Sequence, residues 1–196
     1  MDKVALRQAL TACLYRQEKL LLCCAGEFAK AAEEEAGLLG AAAVSWEPDL
    51  RWQNLVRLAI LNRTRVAVGT GSVLLALSKI GKATAAPLPV RDVVLVGTKC
   101  PDWMVQSIAS GLDARIWDCC VDAPEPQARD MALDRLPEEL LRWSSVLDYR
   151  AMRTEMGLSM ELTVFPGKQL PQLPSGAKVI VRPWNPGTDE PFHVLL

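Results

Sequence analysis

Apolar residues fall at helical spacings through the first forty positions of the chain: Leu6, Leu10, Cys13, Leu14, Leu20, Leu21 and Cys24. That repeat predicts helix over residues 2–43, continued from Ala29 to Leu39 by strong helix formers. Within it Glu33-Glu34-Glu35 reads as a solvated face. Trp46-Glu47-Pro48 interrupts the pattern, because the residue before a proline is pushed out of helical geometry. A further helix is predicted from Leu50 to Leu61, with Leu55, Leu58 and Ala59 inward and Arg51, Asn54 and Arg57 outward.

The pattern then alternates between short apolar runs and helical stretches. Arg65-Val66-Ala67-Val68 reads as a buried strand, Gly69-Thr70-Gly71-Ser72 as a turn, and Val73 to Ile80 as a helix closed by Gly81. Asp92 to Val96 is a second strand, followed by a turn at Gly97-Thr98-Lys99-Cys100 and a helix that opens at Pro101 and stops near Gly111. Ala114-Arg115-Ile116-Trp117 is a third strand. Val66-Ala67-Val68-Gly69-Thr70 is echoed 28 residues later by Val94-Leu95-Val96-Gly97-Thr98. This β-α-β-α-β order implies a mostly parallel sheet with right-handed crossovers. The fold class expected is α/β, with a Rossmann-like three-layer core.

Beyond Asp118 the chain becomes polar and carries Pro124 and Pro126; Leu133 to Met156 reads as one or two helices. The tail alternates at period two in Met160 to Phe165, and Lys178-Val179-Ile180-Val181 and Phe192-His193-Val194-Leu195 are further strand candidates. Pro166-Gly167 and Asn185-Pro186-Gly187 mark turns. The division expected is one α/β domain over 1–196, made of a helical segment (1–45), the βαβαβ core (46–156) and a C-terminal β segment (157–196).

Composition narrows the function classes. The 196 residues carry 22 Lys and Arg against 23 Asp and Glu, for a net charge of −1, so no nucleic-acid footprint is visible. Mean hydropathy is +0.12, which suggests a large core or an apolar face covered by a partner. The first residues lack the apolar run of a signal peptide, and no stretch has the length of a membrane span, so a cytoplasmic protein is expected. The six cysteines include the vicinal pairs Cys23-Cys24 and Cys119-Cys120 and no C-x-x-C spacing. They are expected to be reduced and mostly buried.

Candidate chemistry centres on Gly69-Thr70-Gly71-Ser72, where a strand-to-helix turn aims backbone N–H groups at an anion. The run from Val66 to Leu77 resembles the first motif of class I S-adenosylmethionine-dependent methyltransferases, and Asp118-Cys119-Cys120-Val121-Asp122-Ala123 is similar to the acidic segment with which that family meets adenine. The resemblance implies that Gly69 and Gly71 approach the cofactor and that Asp122 contacts the adenine. Two acidic positions of the family pattern are absent: Ala67 stands two residues before the first glycine, and Val96-Gly97-Thr98 offers no acid for a ribose. Asp118 and Asp122 are nevertheless the acids closest to a ligand crevice, because open α/β sheets bind ligands at the carboxyl ends of their strands.

Other signals point elsewhere. Gly81-Lys82-Ala83-Thr84 fails as a phosphate loop, because Ala76 and Ala83 occupy the positions of its first glycine and its hydroxyl. The single histidine, His193, lies in an apparent strand and reads as structural, which leaves no catalytic triad and no conventional zinc site; no metal is expected. Cys100, between Lys99 and Pro101 at a helix start, stands where the helix dipole and Lys99 favour a thiolate, but its default reading is a buried small hydrophobe. Trp46 and Trp184 lie in proline-bearing loops and are candidate partner contacts. The leading expectation is a non-catalytic interaction or assembly protein that binds a protein partner or itself and needs no cofactor. The alternative is a divergent methyltransferase-like or nucleotide-binding enzyme that uses Gly69, Gly71, Ser72, Asp118 and Asp122 to hold S-adenosylmethionine or a nucleotide.

Overall fold

The computed structural model describes residues 3–45, 52–83, 88–121, 139–154, 157–170 and 178–185. The chain forms two compact units, Met1–Ala123 and Pro124–Leu196, each with its own sheet.

In the first unit the elements run α1 (Lys3–Cys13), β1 (Lys19–Cys23), α2 (Gly26–Leu38), β2 (Ala42–Ser45), α3 (Trp52–Asn62), β3 (Val66–Gly69), α4 (Gly71–Ala83), β4 (Asp92–Leu95), α5 (Asp102–Leu112) and β5 (Arg115–Asp118). The five strands form one sheet in the order β2-β1-β3-β4-β5. All its pairings are parallel, with Leu21 opposite Val44 and Ala67, Val68 opposite Val94, and Leu95 opposite Asp118. Parallel strands covered on both faces read as continuous apolar runs, and β1, β3 and β4 do so. Leu20, Leu22, Val66, Val68, Val94 and Val96 pack against Leu6, Leu10, Ala32 and Ala36 of α1 and α2. The alternate positions, Leu21, Ala67, Val93 and Leu95, are equally buried and face the other way, toward the layer of α3, α4 and α5. The α/β three-layer fold is thus as the sequence predicts.

Several boundaries are corrected. The predicted helix over 2–43 is broken by two strands, β1 and β2. Lys19 to Cys23 is a short apolar run, which periodicity cannot separate from a helix segment. The turns that free it are made at Gln17 (φ 69°) and Gly40 (φ 74°), where Gln17 N–H donates to the Gly40 carbonyl at 3.0 Å. Gly81 does not end its helix, which runs on to Ala83. Gly111 lies inside α5, whose cap is the left-handed Asp113. A Cβ on Gly111 would stand 2.7 Å from the Cβ of Ser78, so its glycine serves the close approach of α5 to α4.

Ion pairs join neighbouring elements within the layers. Arg7 on α1 grips Glu35 on α2 through a fork, Nε to Oε2 at 2.7 Å and an Nη to Oε1 at 2.9 Å. At the start of β4, the buried Asp92 carboxylate accepts from Arg115 at 2.9 and 3.1 Å and from the Trp117 indole at 3.0 Å.

The second unit holds β6 (Val146–Thr154), β7 (Gly157–Val164) and β8 (Lys178–Pro183) in the order β6-β7-β8. β6 pairs with β7 antiparallel, and β7 with β8 parallel. The predicted helix through 133–156 is instead strand over Val146–Thr154; residues 133–138, 155 and 156 lie outside the described residues. The tail strands at 160–165 and 178–181 stand, while 192–195 lies outside the described residues. Among the described residues no helix is long and apolar enough to cross a membrane.

Candidate functional site at the carboxyl edge of the sheet

The strand order locates a crevice. The chain steps from β1 outward to β2, then returns past β1 to β3 and proceeds to β4 and β5. The direction of winding reverses between β1 and β3, and open α/β sheets bind ligands outside the carboxyl ends of their strands at this kind of switch point. Cys24-Ala25-Gly26 leaves β1 on one side of it, and Gly69-Thr70-Gly71-Ser72 leaves β3 on the other.

Each connection delivers a helix start. The first N–H groups of a helix have no acceptor within it and carry the positive end of its dipole. α2 begins after Ala25 with no side-chain cap. Its first residue, Gly26, holds φ +61°, and a Cβ there would meet nothing within 4 Å, so the space before this helix is open. α4 begins at Gly71, and the Thr70 carbonyl before it accepts from Leu74 N–H at 3.0 Å.

The glycines of the second loop have packing reasons of their own. A Cβ on Gly69 would stand 2.7 Å from both the Cβ and the carbonyl oxygen of Cys23 at the end of β1. A Cβ on Gly71 would overlap the Cys100 sulfur and approach the Met104 sulfur at 2.9 Å. Both residues are buried, whereas Thr70 and Ser72 are half-buried and reach the surface of the edge. Gly97 turns the β4 connection at φ +97°, which favours glycine; a Cβ there would stand at an ordinary 3.6 Å from the Thr70 methyl.

The far side of the edge is made by β4 and β5. Their pairing extends past Leu95 and Asp118 through Val121 N–H to the Gly97 carbonyl and Lys99 N–H to the Val121 carbonyl, both 2.9 Å. Asp118 is exposed at the tip of β5, and its Oδ1 accepts the Cys120 N–H at 2.9 Å. Gly69, Gly71, Ser72 and Asp118 thus share one edge of the sheet. Asp122 and Trp46 lie outside the described residues. Trp184 follows β8 in the second unit, half-buried, with its ring edge-on to Phe165 at 5.2 Å and its backbone N–H on the Val164 carbonyl.

The cysteines divide by environment. Cys13, Cys23, Cys24 and Cys119 are buried, while Cys100 and Cys120 are partly exposed. Burial raises the Cys13 and Cys24 thiols to about 12, so both stay neutral through the physiological range. A groove of about 390 Å³ runs between the start of α1 and the first turns of α2, lined by Lys3, Glu27, Phe28, Lys30, Ala31 and Glu34. Its two lysines and two glutamates offset each other, and it contains none of the loop residues above. Among the described residues, no group of three or more His, Cys, Asp or Glu is placed to hold a metal ion.

No family model matches the chain, and no curated protein is significantly similar to it in sequence. Solved structures do share its fold. 2-Hydroxyisobutyryl-CoA ligase, in the postadenylation state with R3-HIB-AMP, matches with a TM-score of 0.51 at 16% identity, over 62% of this chain and 28% of that one. The same ligase in an open conformation with 2-HIB-AMP and CoA gives 0.49 at 15% identity, over 60% and 30%. The N-terminal domain of FACL13 from Mycobacterium tuberculosis gives 0.48 at 12% identity, over 61% and 31%. The chain thus spans less than a third of each of these structures. The leading sequence expectation is corrected: the solved structure that matches with a TM-score of 0.51 is that of a CoA ligase, and the reading as a non-catalytic interaction or assembly scaffold is withdrawn.

Proposed function

We propose that the first unit is the nucleotide-binding part of an enzyme, and that it takes an adenine nucleotide in the crevice between β1 and β3. The observation that carries this reading is the switch point, flanked by the starts of α2 and α4. Two helix N-termini converging on one crevice favour a phosphate or carboxylate there, through aligned N–H groups and dipoles. The roles follow from that. The backbone N–H groups of Gly71 and Ser72, with the Thr70 and Ser72 hydroxyls, hold the phosphate, and Gly26 leaves the room for it. Asp118, at the far end of the edge, is the acid for a ribose or adenine polar group. The choice of an adenine nucleotide among anionic ligands draws on the ligase of matching fold, whose solved structure is a complex with R3-HIB-AMP. S-Adenosylmethionine fits the site less well, because β3 has Ala67 where the methyltransferase motif has an acid.

Calorimetric titration of the full chain with ATP and with AMP tests the reading. Binding of at least one nucleotide is expected. Thr70→Glu, which sets a carboxylate where the phosphate would lie, should weaken it tenfold or more, about 1.4 kcal/mol. Folded protein that binds neither nucleotide would refute the proposal.

A further inference from the structure

The opposite edge of the same sheet, where its strands start, sets exposed apolar side chains among cations. Leu20 pairs with Val66, Val66 with Asp92 and Asp92 with Arg115, so β1, β3, β4 and β5 begin side by side. Each brings an exposed cation to its start: Lys19, Arg65, Arg91 and Arg115. Arg91 N–H donates to the Arg65 carbonyl at 2.7 Å and Arg115 N–H to the Arg91 carbonyl at 2.8 Å. α1, α2 and α3 end at this edge too, each just before a strand. Their ends leave Tyr15, Leu38 and Leu61 exposed, at 62%, 75% and 68%. Short contacts join these to the cations. The Arg65 guanidinium lies 5.8 Å from the Tyr15 ring centroid, and Lys19 donates to Asn62, next to Leu61, at 2.9 Å. A Cβ on Gly40, two residues beyond Leu38, would lie 3.3 Å from the Arg16 Cγ. The acids that face the cations are Glu18 on Arg65, Asp113 on Arg91 and the buried Asp92 on Arg115. The side chains of Arg16 and Arg63, both exposed, make no hydrogen bond or ion pair among the described residues.

We propose that this edge docks the protein on the surface of an anionic lipid bilayer. Such a surface takes apolar side chains into its headgroup boundary, while cations among them meet the lipid phosphates and carboxylates. Tyr15, Leu38 and Leu61 suit that arrangement, because Arg16, Lys19 and Arg65 stand among them. The core of a protein interface is, by contrast, depleted in charge. A polynucleotide would engage the cations and leave Leu38 and Leu61 without a role. With a net charge of −1, the chain as a whole is not drawn to an anionic surface, so this edge sets the orientation. The parallel strands carry Gly69 to Ser72 at their other end, so docking leaves that crevice on the aqueous side.

The test is flotation of the full chain with vesicles of phosphatidylcholine alone and with vesicles rich in phosphatidylserine. The chain should float with the phosphatidylserine vesicles at about 0.1 M salt and leave them at about 1 M, where the screening length falls to about 3 Å. Binding to phosphatidylcholine should be weaker by roughly tenfold or more. Arg16→Glu combined with Arg63→Glu should weaken binding by a similar factor. Leu38→Ser combined with Leu61→Ser should weaken it at low salt as well. All four positions are exposed, so thermal melts of both double variants should match the wild type. Folded protein that stays in the aqueous phase, binds both vesicles equally, or binds as well in either double variant would overturn the proposal. Self-association or capture on heparin in place of vesicle binding would overturn it too, assigning the edge to a second copy or to a soluble polyanion. Flotation is read without nucleotide, so its outcome and that of the nucleotide titration are independent.

Discussion

At the scale of single residues, the carboxyl edge is built from positions where a methyl group decides the outcome. Gly71 faces the Cys100 and Met104 sulfurs, so Gly71→Ala forces a shift in α5 or in the loop. Overpacking of this kind costs about 1–3 kcal/mol. Gly26→Ala meets open space but keeps the left-handed φ, which costs about 1–2 kcal/mol in a residue with a Cβ. Urea denaturation should therefore show both variants destabilised, and only Gly71→Ala should also alter the alkylation rate of Cys100. A second residue-scale prediction concerns acid. The hydrogen bond from Arg7 holds the Glu35 carboxyl below its ordinary value. A depressed folded value gives stability that is present above the unfolded pKa, about 4.3, and is lost as pH falls through the folded one. Thermal melts of the wild type should fall more steeply below about pH 4 than those of Glu35→Gln; parallel curves would show that the Arg7 fork contributes nothing.

At the scale of elements, the sequence was legible where strand and helix alternate with clear punctuation. β3, α4, β4, α5 and β5 lie within two or three residues of where apolar runs, Gly69, Pro101 and Gly111 put them. β1 and β2 were not legible, because Leu20, Leu21 and Cys24 also satisfy a helical repeat and the flanking turn residues, Gln17 and Gly40, sit inside a stretch of helix formers. The signal that does separate them is Leu20-Leu21-Leu22-Cys23-Cys24 itself, five consecutive apolar positions ahead of Gly26. Losing β1 also hid half of the site. Gly69, Gly71, Ser72 and Asp118 can be read from the chain, but the crevice exists only because β1 lies beside β3, and no local pattern reports that neighbour. Leu21→Ala tests the packing of β1: it removes core volume at a fully buried position and costs about 2–5 kcal/mol. A large drop in the denaturation midpoint is expected; an unchanged midpoint would contradict that burial.

At the scale of the whole molecule, the proposed activity rests on topology rather than on any recognisable motif. A winding reversal between β1 and β3 brings two helix starts to one crevice. The most direct measurement is photolabelling of the full chain with 8-azido-ATP, with and without excess ATP, followed by peptide mapping. Label that ATP suppresses, on the segments around Cys23 to Phe28 or Gly69 to Val73, is the predicted result. No ATP-protected label, or protected label confined to residues 124–196, would contradict a nucleotide site at the β1–β3 crevice.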